Sequence, residues 1–173
     1  IRRQRQMCIR DSISSGVIGM NWMMRELTRM GRGYVAFLLA SNKTYPSYGY
    51  MIEKGATAIW ELWNGDTANR WMNSCNHVMI LGDLLTWYFR DLAGFNPAQP
   101  AYKQIIFKPD FSIQELSYVK ASHNTLYGKM ISNWKKTLTH LEWDITIPCN
   151  TTALVYLPTL DEKAVKDKDV TFV

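Results

Sequence analysis

From Val17 the apolar positions recur at three- and four-residue steps. Val17, Met20, Met24, Leu27 and Met30 fall on one side of a helix with 3.6 residues per turn. Ser14 or Ser15 is placed to cap its start, and Gly31 and Gly33 to end it. Tyr34 to Ser41 carries Val35, Phe37, Leu38 and Leu39 and reads as a second helix, so the pair forms an αα-hairpin across a glycine turn. Thr44 to Asp66 loses this periodicity. With Pro46 and glycines at 49, 55 and 65 among its aromatics, it reads as a long ordered loop with at most short strands. Loops of that length inside a compact domain are uncommon and often functional. A third helix is expected over Asn73 to Ala93. Its apolar stripe is Cys75, Val78, Met79, Gly82, Leu85, Phe89 and Leu92, with Gly94 as its stop. Pro97 and Pro100 mark a linker.

After Pro100 the period shifts toward 2. Gln104 to Lys108, Leu116 to Ser122, Tyr127 to Lys135, His140 to Pro148 and Thr152 to Leu157 are short, aromatic and β-branched, with turn residues between them. His140, Glu142, Asp144 and Thr146 alternate with Leu141, Trp143, Ile145 and Ile147, the mark of a half-buried antiparallel strand. A helical part followed by a β part argues for two separate units. Neither has enough elements to close a large bundle or a two-sheet sandwich by itself. The tail over 161–173 alternates charge and reads as the start of a further strand.

Composition narrows the class. The 173 residues are 47% hydrophobic and 20% charged, with mean hydropathy −0.21. That balance is globular and excludes disordered, collagen-like and coiled-coil chains. No apolar run reaches the ~18 residues that a membrane span needs. Three cysteines are too few and too scattered for a disulfide framework, and none lies at metal-ligand spacing from a histidine. Gly31-Arg32-Gly33 is a helix break rather than a phosphate-cradling loop.

The net charge of +5 suggests a nucleic-acid partner until it is located. Residues 1–12 hold Arg2, Arg3, Arg5, Arg10 and Asp11, a net +3 that leaves only +2 for the rest of the chain. The segment has no apolar core after its basic end, so it is not a signal peptide. It reads as a basic arm, as an ordinary solvated element, or as a non-native segment, because RQMCIRDS looks like translated sequencing-adapter sequence. The last is the favoured reading. Beyond it the lysines are scattered, so neither a nucleic-acid nor a membrane partner is expected.

The chemistry concentrates in TAIWELWNGDTANRWMNSCNH, residues 57–77. Glu61 stands between Trp60 and Trp63. A carboxylate among indoles is partly desolvated, which raises its pKa and suits a general base. On residue type alone, a loop glutamate that pairs with a cation or caps a helix is the simpler account. Asp66 after Asn64-Gly65 is a turn residue. Asn73, Asn76 and His77, spaced i, i+3 and i+4, share one face at the start of the third helix and suit a hydroxylated ligand. Helix capping by Asn73 or Ser74 beside a satisfied buried histidine explains them equally well. Trp134 and Trp143 offer a sugar-stacking platform on the β part or, more commonly for strand aromatics, its core. Asn42-Lys43-Thr44 and Asn150-Thr151-Thr152 match the glycosylation pattern, a short signal that arises often by chance.

Taken together, TAIWELWNGD and MNSCNH resemble bacterial α-L-rhamnosidases, family 78 of the glycoside hydrolases. SSGVIG (14–19) looks like the opening of a late helix of that family's (α/α)6 barrel, YPSYGYMIEKGATAIWELWNGD (45–66) like its active-site loop, and MNSCNHVMILGDLLTWYFRDLAG (72–94) like its last barrel helix. IIFKPD, SYVKASHNTLYGKMISNWKK and ITIPCNTTALVYLP look like its C-terminal β-sandwich. The motifs occur in the family's order over about residues 13 to 160.

The resemblance implies a fold that is mainly α plus β. Residues 13–96 would be the last helices of an (α/α)6 barrel, and 97–173 a partial antiparallel β-sandwich, after a non-native segment over 1–12. It implies inverting hydrolysis of terminal α-L-rhamnosyl linkages, which uses two carboxyl groups ~6.5–9.5 Å apart. Glu61 matches the general base and His77 a histidine of the sugar pocket, with Trp63 and Asn76 as pocket wall or support. The general acid has no counterpart here and would lie in an upstream part of the enzyme. No cofactor or metal is implied. The partners would be rhamnose-containing glycosides and the missing N-terminal part. Another (α/α)6 glycosidase and a non-catalytic carbohydrate-binding module are the alternatives. Arg70, Trp71, Cys75 and Tyr34 depart from the family's usual residues. Cys75 is expected to be small and buried.

Overall fold

A computed structural model of the chain describes residues 15–71 and 73–158. The expectations for residues 1–12, for Ser14 and for the charged tail lie outside the described residues. The chain divides into two compact units, one ending at Trp87 and the other starting at Tyr88.

The first unit is helical. Helix α1 (Val17–Arg29) starts at Gly16, and no side chain caps it. Ser15 does not serve, because its hydroxyl donates to Met23 Sδ and its carbonyl accepts from the Trp63 indole. A missing cap costs about 1 kcal/mol. Burial of Met20 and Met24, at about 1.5–3 kcal/mol each, outweighs it. At the other end the amides of Gly31 and Arg32 turn back to the carbonyls of Thr28 and Leu27, with Gly31 at φ +71°. Met30 therefore leaves the stripe and is exposed.

Helix α2 (Gly33–Ser41) packs on α1 and buries Gly33, Ala36, Leu39 and Ala40. Helix α3 (Tyr48–Glu53) breaks the expected continuous loop. Its cause is local: Ser47, fully buried, accepts from the Tyr50 amide at 2.9 Å and donates to the Thr44 carbonyl, which fixes a helix start.

Helix α4 (Val78–Trp87) is shorter than expected and starts five residues later. Its buried residues are Ile80, Leu84 and Trp87, not the predicted stripe. Val78, Met79 and Leu85 are exposed. The helix is apolar nearly all round, so periodicity alone cannot select a face. What selects it is packing on α1, where Trp87 Nε1 donates to Thr28 Oγ1 at 2.9 Å and that hydroxyl donates to the Met24 carbonyl at 3.0 Å.

The second unit opens with a π-helical turn over Tyr88–Leu92, then β1 (Phe95–Pro97), where a linker was expected. Strand β2 is Gln104–Phe107, β3 Tyr118–Thr125, β4 Gly128–Lys136, β5 Leu141–Thr146 and β6 Thr152–Val155. They form two three-stranded sheets, ordered β1-β2-β6 and β3-β4-β5. Strand β6 runs parallel to β2, with Gln104 opposite Thr152 and Phe107 opposite Val155, so the first sheet is mixed rather than wholly antiparallel. Between β5 and β6 the chain crosses back to the other sheet, with Asn150 at φ +58° on the way.

Inward residues of both sheets share one core of Ala93, Phe95, Ile105, Phe107 and Met130, with Trp143 and Ile145 packed against it. Its polar groups are satisfied internally. Ser132, fully buried, donates to the Ala93 carbonyl at 2.7 Å and accepts from Trp143 Nε1 at 3.0 Å. Trp134 Nε1 donates to the Leu92 carbonyl at 2.9 Å. Ser132→Ala leaves a buried carbonyl and an indole N–H without partners, each worth about 1–3 kcal/mol. The expected result is a loss of roughly 2–4 kcal/mol in chemical denaturation followed by tryptophan fluorescence. A midpoint equal to that of the parent would show that these groups find other partners.

Candidate active site

Two segments of the helical unit run beside each other: residues 59–62, inside the aromatic loop, and residues 73–77, leading into α4. The His77 amide donates to the Ile59 carbonyl at 2.7 Å, and the Glu61 amide to the Ser74 carbonyl at 2.9 Å. Asn73 Oδ1 accepts from the Leu62 amide at 3.1 Å. The Ser74 amide donates to Glu61 Oε2 at 3.0 Å. These bonds consume the backbone groups that a helix over 73–77 would need. Asn73, Asn76 and His77 therefore precede α4 and do not share a helical face. Neither Asn73 nor Ser74 caps the helix. The first carbonyl to serve α4 is that of His77, which accepts from the Leu81 amide at 3.3 Å.

The four predicted site residues part into two groups. Glu61 and His77 are brought together on the facing segments, both half-buried. The Glu61 carboxylate has one oxygen held by Ser74, and its other oxygen has no hydrogen-bond partner among the described residues. His77 Nδ1 is buried and has no such partner either. Trp63 turns elsewhere: its Nε1 donates to the Ser15 carbonyl at 2.9 Å, and its ring meets the Tyr48 edge at 5.1 Å. Asn76 is exposed, its backbone exchanging hydrogen bonds with the Ser74 hydroxyl. Residue typing missed the joining role of Asn73 and Ser74, because an Asn-Ser pair before an apolar run signals a cap.

Trp60 is buried and lies on Gly65. Trp71 is 96% exposed, and Cys75 is exposed rather than buried. Tyr50 donates to Asp66 Oδ2 at 2.9 Å. Desolvation first, then that bond and the Asp66 charge, hold the Tyr50 hydroxyl above its ordinary pKa, so it acts here as a donor. Trp134 and Trp143 form no sugar platform. They are cross-strand partners, Trp134 is 2% exposed, and the edges of both rings meet Phe111 at 5.3 Å. Among the described residues no three His, Cys, Asp or Glu side chains gather to hold a metal ion. Nor is any helix long and apolar enough to cross a membrane.

The comparison with known proteins settles the family. The family model for the bacterial alpha-L-rhamnosidase 6 hairpin glycosidase domain matches residues 4–92, and that for the bacterial alpha-L-rhamnosidase C-terminal domain matches 94–172. The chain belongs to the bacterial alpha-L-rhamnosidase family. An alpha-L-rhamnosidase from Formosa agariphila is 32% identical over 161 residues, covering 90% of this chain and 17% of that protein. The structure of alpha-L-rhamnosidase from Dictyoglumus thermophilum superposes with a TM-score of 0.80 at 38% identity, over 88% of this chain and 17% of that one. The Streptomyces avermitilis alpha-L-rhamnosidase, complexed with L-rhamnose, gives 0.80 at 30% identity over 88% of this chain and 15% of that one. The chain thus spans about a sixth of the length of the curated relatives it matches.

Close packing in the aromatic loop is testable. A Cβ on Gly65 would stand 2.6–2.7 Å from the Trp60 ring, at atoms near its attachment that cannot swing aside. Gly65→Ala is expected to displace the Trp60 indole and cost about 1–3 kcal/mol. The sign is weaker near-UV circular dichroism and a lower melting temperature. At Gly82, in α4, an added Cβ meets nothing within 4 Å, so Gly82→Ala should stabilise by about 0.5–1 kcal/mol. Equal melting of the Gly65→Ala variant and its parent would refute the packing.

Proposed function

We propose that this chain is part of an inverting α-L-rhamnosidase and supplies the general base, Glu61. The observation that carries the reading is the carboxylate itself. One oxygen is fixed by the Ser74 amide while the other is left without a partner among the described residues, on a segment paired with the one that carries His77. A base held in this way presents a free oxygen to a water molecule with little reorganisation. The family's relatives are named alpha-L-rhamnosidases, and one was solved with L-rhamnose, which supports the substrate class.

In this reading the helical unit contributes the last helices of an (α/α)6 barrel, and the β unit part of a C-terminal β-sandwich. Glu61 takes a proton from water as the water oxygen bonds to the anomeric carbon. The bond to the leaving oxygen breaks on the opposite face, and an acid from an upstream part of the enzyme protonates that oxygen. Attack from the far side inverts the anomeric centre, and a water between base and sugar requires the wider carboxyl separation of ~6.5–9.5 Å. His77 lines the sugar pocket. Trp63, fixed by Ser15 and Tyr48, is a wall rather than a free donor, and Asn76 offers an exposed carboxamide at the rim.

In the complete enzyme, Glu61→Gln is expected to lower kcat by about 10²–10⁴-fold while rhamnose still binds, as measured by steady-state kinetics and calorimetry. Unchanged turnover would remove Glu61 as the base. The 173-residue chain expressed alone should hydrolyse no aryl rhamnoside, since a base without its acid loses most of the catalytic advantage. Turnover by the purified chain would place the acid within it.

A further inference from the structure

We infer that Asn73 is a positioning residue for the Glu61 carboxylate, acting through the Leu62 amide. This rests on the reading of Glu61 as the general base. Glu61 sits between two holds that come from consecutive residues on the facing segment. Asn73 Oδ1 takes the amide of the next residue, Leu62, at 3.1 Å, and the Ser74 amide takes Oε2 at 3.0 Å. Together with the Glu61 amide on the Ser74 carbonyl, these fix the peptide on each side of Glu61 and one of its carboxylate oxygens. Without the Asn73 hold, the peptide between Glu61 and Leu62 is free to rotate, and the side chain swings with it.

Asn73 is 9% exposed, so water competes little for the Leu62 amide. Its other polar atom, Nδ2, is buried with no hydrogen-bond partner among the described residues. An unpaired buried amide is unfavourable, and an aliphatic side chain of similar size would avoid it. Helix capping does not account for the carboxamide, since α4 begins five residues later. What Oδ1 holds does account for it.

The test is a double-mutant cycle in the complete enzyme with an aryl rhamnoside. Asn73→Ala is expected to lower kcat about 10–100-fold with KM nearly unchanged, the size of effect that a small misplacement of a catalytic group produces. In the Glu61→Gln background the same change should cost nothing further, because the group it positions is gone. Asn73→Asp keeps an acceptor for the Leu62 amide and should restore most of kcat. A loss from Asn73→Ala that is equally large with and without Glu61 would mark a structural role only and overturn the inference. Should Asn73→Ala fail to fold, Asn73→Leu, of similar size but without an acceptor for the Leu62 amide, decides: a kcat equal to the parent's, in a variant that melts like the parent, overturns it. If Glu61→Gln retains turnover, the base reading fails and this one with it. If Glu61→Gln abolishes turnover while Asn73→Ala and Asn73→Asp match the parent, only the role of Asn73 fails.

Discussion

Four hydrogen bonds join residues 59–62 to residues 73–77, and the rest of the helical unit is arranged around them. They close a loop of aromatic and polar residues that has no regular structure of its own to hold it. They also use the amides of Glu61, Leu62, Ser74 and His77, and helix α4 begins at Val78, directly after them. A carboxylate that accepts from a backbone amide on the facing segment is held by covalent geometry on one side and a hydrogen bond on the other. That is the condition under which a carboxylate keeps its direction without a rigid element beneath it.

The scaffold supports this arrangement through a few buried polar contacts. The indole of Trp87 reaches α1 through Thr28, so the helix that follows the site is tied to the helix that opens the unit. Ser15, just before α1, holds the indole of Trp63, so the loop is tied to the same helix. In the β unit the Trp134 indole donates to the Leu92 carbonyl and the Ser132 hydroxyl to that of Ala93, while the Trp143 indole donates to Ser132. Tryptophan recurs in these contacts because one side chain both fills a core and brings a single donor that must find an acceptor.

Much of the fold is legible from pattern. The strands after Pro100 announce themselves by alternation, and all five expected ones are present within a few residues. The helices α1 and α2 follow from spacing and from the glycines between them. What pattern misread shares a cause. Helix α4 is apolar on nearly every side, so its register against α1 is not written in its period. Ser47 starts a helix inside a segment whose glycines and proline speak for a loop. The strand Phe95–Pro97 is three residues long, too short for a period to show.

The sequence by itself determined the family resemblance and the division into a helical and a β part, and it singled out Glu61 and His77 as candidates, because each rests on residue types in fixed order along the chain. It determined equally that the positive charge is concentrated in a short N-terminal segment. Tertiary structure alone decided which residues hold Glu61, which face of α4 is buried, and that Trp134 and Trp143 belong to the core. The physical reason is that backbone amides and indole N–H groups choose among partners far apart in sequence. An amide at position 62 carries no sign of whether its acceptor will be the next turn of a helix or the side chain of Asn73.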